Sequence, residues 1–170
     1  MDKFLAKSLD TYHEQAQELA SGSDLLDVYR LDPQHYLVRF HSKALVCSAD
    51  GEVREVIGYE VGYWFSESYL RHVNPLEVLS WRGPRDIFHP NAKTPLCCIG
   101  PIAPGTPLVD LIYRTYDVIS CQNIMPDETD ALNPVACQWA RNNQHRFPLD
   151  ARPLKRRSRD VQSEAQELPR

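Results

Sequence analysis

The chain has 170 residues, of which 42% are apolar and 25% charged, and its formal net charge at pH 7 is −4. These values are typical of one soluble globular domain, and the acidic balance argues against nucleic-acid binding through bulk charge. No run of about 18 apolar residues occurs, so neither a transmembrane helix nor a membrane partner is predicted. The amphipathic start lacks the apolar centre of a signal peptide, so we expect a cytoplasmic location.

The first predicted element is a helix over residues 3–20. Its apolar positions approximate one face, and they are Phe4, Leu5, Leu9, Tyr12, Ala16 and Leu19. Four β-rich segments follow, at 24–32, 35–47, 53–65 and 75–81, with an Ala-Asp-Gly turn signal at 49–51. Short strands joined by short turns predict a four-stranded antiparallel meander with one face packed against helices.

Residues 82–107 contain six prolines and three glycines, which exclude a regular helix or a central strand. We expect an ordered irregular segment there, of the kind that carries function on a rigid scaffold. A helix is then predicted with Thr106 as N-cap and Pro107 at its first position, and a second from Asn133 or Pro134 to Asn142.

The predicted fold class is therefore α+β, with one domain over residues 1–148. Residues 149–170 are mostly polar and charged, and they are predicted to form a flexible C-terminal tail.

The five cysteines do not indicate a disulfide framework. Their number is odd, no export signal precedes them, and two are adjacent; they are Cys47, Cys97, Cys98, Cys121 and Cys137. No CxxC or HxxxH spacing occurs, so no metal site is predicted. Cys47, Cys121 and Cys137 are expected to be small core residues, which leaves the adjacent pair as candidate nucleophiles.

Four short motifs follow one another in the second half of the chain. They are FHPN at 88–91, the cysteine at 98, the acidic loop PDETD at 126–130 and LNPVA at 132–136. With the predicted element order, they make the chain resemble the ubiquitin-conjugating enzyme (E2) family over residues 1–148. The interval from Asn91 to Cys98 is one position shorter than is usual in familiar eukaryotic members, and no further helix follows Phe147. The short form is more similar to bacterial E2-like proteins.

This resemblance implies a UBC-like fold and an acyl-transfer activity. The expected function is to accept a ubiquitin-like modifier from an E1-like activating enzyme as a cysteine thioester and to transfer it to a lysine amine of a target protein. No cofactor is implied. The bacterial E2-like proteins are encoded beside E1-like, ubiquitin-like and JAB-type peptidase genes, often in anti-phage defence. The alternatives are a catalytically inactive E2 variant that binds a ubiquitin-like protein as a scaffold, a cysteine hydrolase and a plain adaptor domain.

We favour Cys98 over Cys97 as the nucleophile. Cys98-Ile99-Gly100 resembles the family's run at the active cysteine, and neighbours in an extended segment point to opposite sides, so only one should face the groove. A thiolate is needed because it both accepts an acyl group and remains a good leaving group.

The other site residues follow from the same resemblance. Asn91 is expected to stabilise the oxyanion with its carboxamide, or to hold the active-site loop, or both. His89 and Pro90 are expected to shape that loop; a general-base role for His89 is the alternative. Asp130 is expected to help deprotonate the incoming lysine, unless it belongs to a merely exposed acidic loop.

Partner surfaces are implied by the resemblance only. The first helix, with Lys3 and Lys7, would face the E1-like enzyme. The loops at Phe65–Tyr69 and Pro104–Pro107 correspond to the places where RING-type ligases dock in relatives.

Overall fold

The computed structural model of the protein describes residues 2–122, 129 and 131–155. Within these residues the fold is α+β, as predicted, with an N-terminal helix, one antiparallel sheet and further helices. The helices are α1 (Lys3–Ser21), α2 (Pro75–Val78), α3 (Leu108–Ile119) and α4 (Pro134–Asn142), followed by a 3₁₀ turn at Gln144–Arg146. Among the described helices, none combines the length and apolar character that crossing a membrane requires.

Helix α1 confirms the predicted N-terminal helix. Asp2 caps it by accepting a hydrogen bond from the Phe4 backbone N–H. The predicted apolar positions from Leu5 to Leu19 are buried, but Phe4 is 78% exposed. Phe4 lies one position before Leu5 and therefore about a quarter turn away from the buried stripe.

The sheet has six strands among the described residues, rather than the four predicted. Their order is β1-β2-β3-β4-β6-β5. The strands are β1 (Leu26–Arg30), β2 (His35–Cys47), β3 (Val53–Trp64), β4 (Leu79–Gly83), β5 (Ala92–Lys93) and β6 (Leu96–Cys97). The first four form the predicted meander. The last two form a short hairpin inside the proline-rich segment, where two-residue strands are too short to show any apolar periodicity.

One face of the sheet packs against α1 and α3. The rings of Phe40 and Tyr59 stack with centroids 4.7 Å apart, and those of Tyr59 and Trp81 at 5.4 Å. Two tyrosine hydroxyls tie the sheet to the helices: Tyr36 donates to the Leu9 carbonyl at 3.1 Å and Tyr63 to Thr115 Oγ1 at 2.8 Å. This aromatic core provides the rigid base on which the irregular segment rests.

Two helix starts differ from the sequence prediction. Residues 75–78, predicted as part of a strand, form the helical turn α2, because Asn74 accepts a hydrogen bond from the Leu76 N–H and Pro75 occupies the first position. Helix α3 begins at Leu108 with Pro107, not Thr106, as N-cap. The Thr106 hydroxyl instead donates to the Ala103 carbonyl at 2.7 Å, closing the preceding turn. The predicted start of α4 is confirmed, with Asn133 as N-cap.

The first residues of the predicted tail pack against the domain. Leu149 and Leu154 are buried, and the nearly buried Asp150 carboxylate accepts a hydrogen bond from Arg152 at 2.6 Å and from the Lys43 backbone N–H at 3.4 Å. The packed part of the chain thus extends at least to residue 155. Residues 156–170 lie outside the described residues.

Removing the Asp150 charge should destabilise the fold. We expect Asp150→Asn to lower the free energy of unfolding at about pH 7 by about 1–3 kcal/mol, because the amide has one accepting oxygen in place of the two that bind Arg152 Nε and Nη2. Urea unfolding followed by circular dichroism measures this value. Glu14→Gln, which removes one exposed charge from α1, is the matched control.

The difference in the free energy of unfolding between the wild type and Asp150→Asn should also depend on pH. The hydrogen bond from Arg152 is the largest cause that lowers the pKa of Asp150 in the folded state. The stabilisation is therefore complete above the unfolded pKa of about 3.9 and is lost as the pH falls through the folded pKa. A difference that stays constant down to about pH 2 would contradict this assignment.

Candidate active site

The candidate site is the short hairpin of β5 and β6. Ala92 pairs with Cys97 and Lys93 pairs with Leu96 in antiparallel register. The Cys98 backbone N–H donates to the Asn91 carbonyl at 2.8 Å, which extends the pairing by one residue on each strand. Asn91 and Cys98 are therefore cross-strand neighbours, whose Cβ atoms lie about 4.5–5.5 Å apart in such pairs.

The alternation of the hairpin separates the two adjacent cysteines. Ala92 and Cys97 point inward, with exposures of 0% and 1%. Cys98 follows Cys97 directly, so its side chain lies on the opposite side of the chain and is half-buried; Asn91, in the turn before β5, is also half-buried. Burial raises the pKa of Cys97 to about 12, so its thiol stays protonated near neutral pH. Only Cys98 of this pair is placed to react with a partner.

Cys98 lies beside backbone groups of Asn91 that are already engaged in hydrogen bonds. Its own backbone N–H is occupied by the Asn91 carbonyl. Within residues 2–122, 129 and 131–155, no hydrogen bond uses the side-chain amide of Asn91, whose backbone N–H donates to His89 Nδ1 at 3.0 Å.

His89 holds the backbone of the HPN turn. Its Nε2 donates to the Val118 carbonyl at 3.0 Å, and its Nδ1 accepts from the Asn91 N–H. Because a carbonyl only accepts and an amide N–H only donates, the ring is neutral with its proton on Nε2. Burial lowers the pKa of His89 to about 4. Both ring nitrogens are engaged in a buried position, so His89 serves the loop and leaves no nitrogen for Cys98.

A third cysteine lies beside this histidine. The Cys121 sulfur is 3.3 Å from His89 Nε2, and burial raises the pKa of the Cys121 thiol to about 12. Near neutral pH the His89 imidazole is therefore uncharged and the Cys121 thiol is protonated. Cys121 thus lacks the thiolate that nucleophilic chemistry needs.

The HPN turn is also joined to the start of α4. The Pro90 carbonyl accepts from the Asn133 N–H at 3.1 Å, while the Asn133 side chain caps α4 by accepting from the Ala136 N–H at 3.2 Å. The structure thus brings the HPN and LNP motifs into direct contact. Asp130, the predicted lysine-activating residue, lies outside the described residues, as do Asp127 and Glu128, and its role stays a prediction.

Arg114 is a site residue that the sequence reasoning missed. From the middle of α3, its Nη2 donates to the Ile99 carbonyl at 2.8 Å and to the Pro101 carbonyl at 2.6 Å. The only signal in the sequence was a charged residue within an otherwise mostly apolar helix. Its partners are backbone atoms, which no side-chain pattern reveals.

The two loops assigned to ligase docking are neighbours. Tyr69 donates from its hydroxyl to the Thr106 carbonyl at 2.7 Å, which ties one loop to the other. Phe65 and Tyr69 themselves are buried at 0% and 1% exposure, so only the residues between them reach solvent. Lys3 and Lys7 are exposed on α1. The partners at these surfaces stay predictions.

The described residues include no group of three or more His, Cys, Asp or Glu side chains that could hold a metal ion. Comparison of the sequence with protein-family models and with curated proteins found no match.

The reactivities of the two adjacent thiols should differ strongly. With a pKa of about 12, Cys97 carries a thiolate in only about one molecule in 10⁴ at about pH 8. We expect iodoacetamide to label Cys98 well before Cys97 in the folded protein, as measured by peptide mass spectrometry over time. Cys98→Ser should abolish the early labelling of the peptide that contains both cysteines. As a control, Cys97 and Cys98 should be labelled equally fast in the wild type unfolded in urea. Early modification of Cys97 would contradict the inward orientation.

Proposed function

We propose that the protein is an E2-like conjugating enzyme that carries a ubiquitin-like modifier as a thioester on Cys98. A single observation supports the proposal: a backbone hydrogen bond joins the half-buried Cys98 to Asn91 at the end of the hairpin, while Cys97 is buried in the core. A nucleophile and an amide donor in adjacent cross-strand positions suit acyl transfer.

In the first step, the Cys98 thiolate attacks the thioester carbonyl carbon of a modifier held by an E1-like enzyme. The new carbon–sulfur bond forms as the bond to the E1-like enzyme's cysteine breaks, and that cysteine leaves as a thiolate. One thioester replaces another, so the step is nearly isoenergetic. Exposure of Cys98 matters here, because the donor sulfur belongs to another protein and must reach it.

In the second step, a neutral lysine amine attacks the Cys98 thioester. The carbonyl oxygen becomes an oxyanion, and the Asn91 carboxamide donates a hydrogen bond to it, worth roughly 3–4 kcal/mol by analogy with oxyanion-hole donors. The intermediate collapses to an isopeptide bond, Cys98 leaves as a thiolate, and the amine proton passes to a base or to solvent. Asp130 is the proposed aid to that proton transfer.

The hydrolase alternative finds no support in the described part of the site. A cysteine hydrolase needs a base in contact with its thiol, and that base is held by a third group. His89 donates through Nε2 to Val118 and accepts through Nδ1 from Asn91, so neither nitrogen is left to take a proton from Cys98. The partners implied are an E1-like enzyme, a ubiquitin-like modifier and a target lysine, in a bacterial operon of the anti-phage type.

Thioester formation tests the proposal directly. Incubation of the protein with ATP, an E1-like enzyme and a ubiquitin-like protein should give an adduct that reducing agents remove. Cys98→Ser should give an adduct that resists reduction, because an oxyester replaces the thioester, while Cys97→Ser should behave as the wild type. Binding of the modifier without any Cys98-dependent adduct would identify a scaffold variant instead.

The role of Asn91 should appear in discharge of the thioester. We expect Asn91→Ala to load the modifier at a near-normal rate but to transfer it to free lysine about 10²–10³-fold more slowly, because the oxyanion loses its donor. Single-turnover gels measure both rates. Equal losses in loading and discharge, with a lower melting temperature, would mean that Asn91 only holds the loop.

A further inference from the structure

Three peptide units near Cys98 are held by hydrogen bonds, one before the cysteine and two after it. On one side, the Cys98 N–H donates to the Asn91 carbonyl at 2.8 Å. On the other, Arg114 Nη2 donates to the carbonyls of Ile99 and Pro101 at 2.8 and 2.6 Å. A single nitrogen of α3 therefore binds both carbonyls that flank Gly100.

The backbone at Gly100 explains how one nitrogen reaches both carbonyls. Gly100 has a φ of +82°, in the left-handed region that L residues rarely adopt. This turn brings the carbonyls before and after it towards α3, and a Cβ at Gly100 would lie 3.6 Å from the same Arg114 nitrogen. The left-handed turn at Gly100 thus allows Arg114 to approach the backbone closely.

The hydrogen bonds of Arg114 are stronger than neutral ones, and their removal should not unfold the domain. Hydrogen bonds from a guanidinium are charge-assisted and about twice as strong as neutral ones. The side chains of Ile99 and Ile102 are buried at 6% and 7% exposure, and they hold the segment to the core independently of Arg114. Loss of Arg114 should therefore free the backbone after Cys98 rather than detach the whole segment.

We infer that Arg114 is a positioning residue for the reaction at Cys98, an inference that rests on the proposed conjugating function. By holding the carbonyls of Ile99 and Pro101, it fixes the backbone that follows Cys98 and so keeps the Cys98 side chain in the orientation that the bond to Asn91 gives it. It touches no reacting atom. Its removal should slow the chemical step and leave the affinity for the donor enzyme unchanged.

The first test measures position without requiring any activity. Hydrogen–deuterium exchange of the full-length protein, read on peptides covering residues 91–101, reports the Cys98 N–H bond to Asn91. We expect Arg114→Ala to speed exchange of this segment by about 10-fold, the equivalent of 1.4 kcal/mol, with no change in the β1–β3 peptides. Arg54→Ala, which removes an exposed arginine from β3, is the matched control.

The second test measures loading of the modifier under single-turnover conditions. We expect Arg114→Ala to lower the maximal loading rate by about 10- to 100-fold while leaving the half-saturating concentration of the charged E1-like enzyme unchanged. Arg114→Lys should recover part of the rate, because an ammonium on a shorter stem reaches these carbonyls less well. Millimolar guanidinium should restore part of the rate of Arg114→Ala and have no effect on the wild type.

The two tests separate the inference from the function on which it rests. If the wild type carries no modifier but exchange at 91–101 depends on Arg114, the conjugating function fails and the positioning contact stands. If the wild type is loaded but Arg114→Ala matches Arg54→Ala in both exchange and loading, the inference is overturned. A uniform loss of melting temperature and of exchange protection across the sheet would also overturn it, because Arg114 would then serve the whole fold.

Discussion

The candidate site depends on the hydrogen bond from the Cys98 N–H to the Asn91 carbonyl. This bond continues the pairing of Ala92 with Cys97, and it determines which side chains share a face. A shift of one residue would turn Cys97 to solvent and bury Cys98, since the side-chain period of a strand is two. One backbone contact thus decides which of the two adjacent thiols faces away from the core.

This short hairpin cannot maintain its own geometry, because two-residue strands make few hydrogen bonds. Contacts with other elements of the domain hold the hairpin in place. His89 links the turn before the hairpin to α3 through Val118, Pro90 links it to α4 through Asn133, and Arg114 holds the backbone after it. All three links end on backbone atoms, so they orient the hairpin without presenting a competing nucleophile or base at the Cys98 sulfur.

Burial shifts the pKa values of the cysteine and histidine side chains that lie near the hairpin. The thiols of Cys97 and Cys121 have their pKa values raised to about 12, whereas Cys98 faces solvent on the hairpin. His89 is kept neutral by the same desolvation, with its pKa lowered to about 4. Burial therefore leaves protonated thiols at Cys97 and Cys121 and a neutral imidazole at His89.

The sequence by itself determined the α+β class, α1, the first four strands and α4, because their apolar periods and caps are local signals. It also indicated Cys98 and Asn91 through a motif order, without their spatial relation. Only the tertiary structure decided the β5–β6 hairpin, the packing of residues 149–155 and the contacts of Arg114. The two-residue strands of the hairpin are too short to show a periodic pattern. The partners of Arg114 are backbone carbonyls, and residues 149–155 pack against parts of the domain that are distant in the sequence, so neither leaves a periodic trace in the side chains.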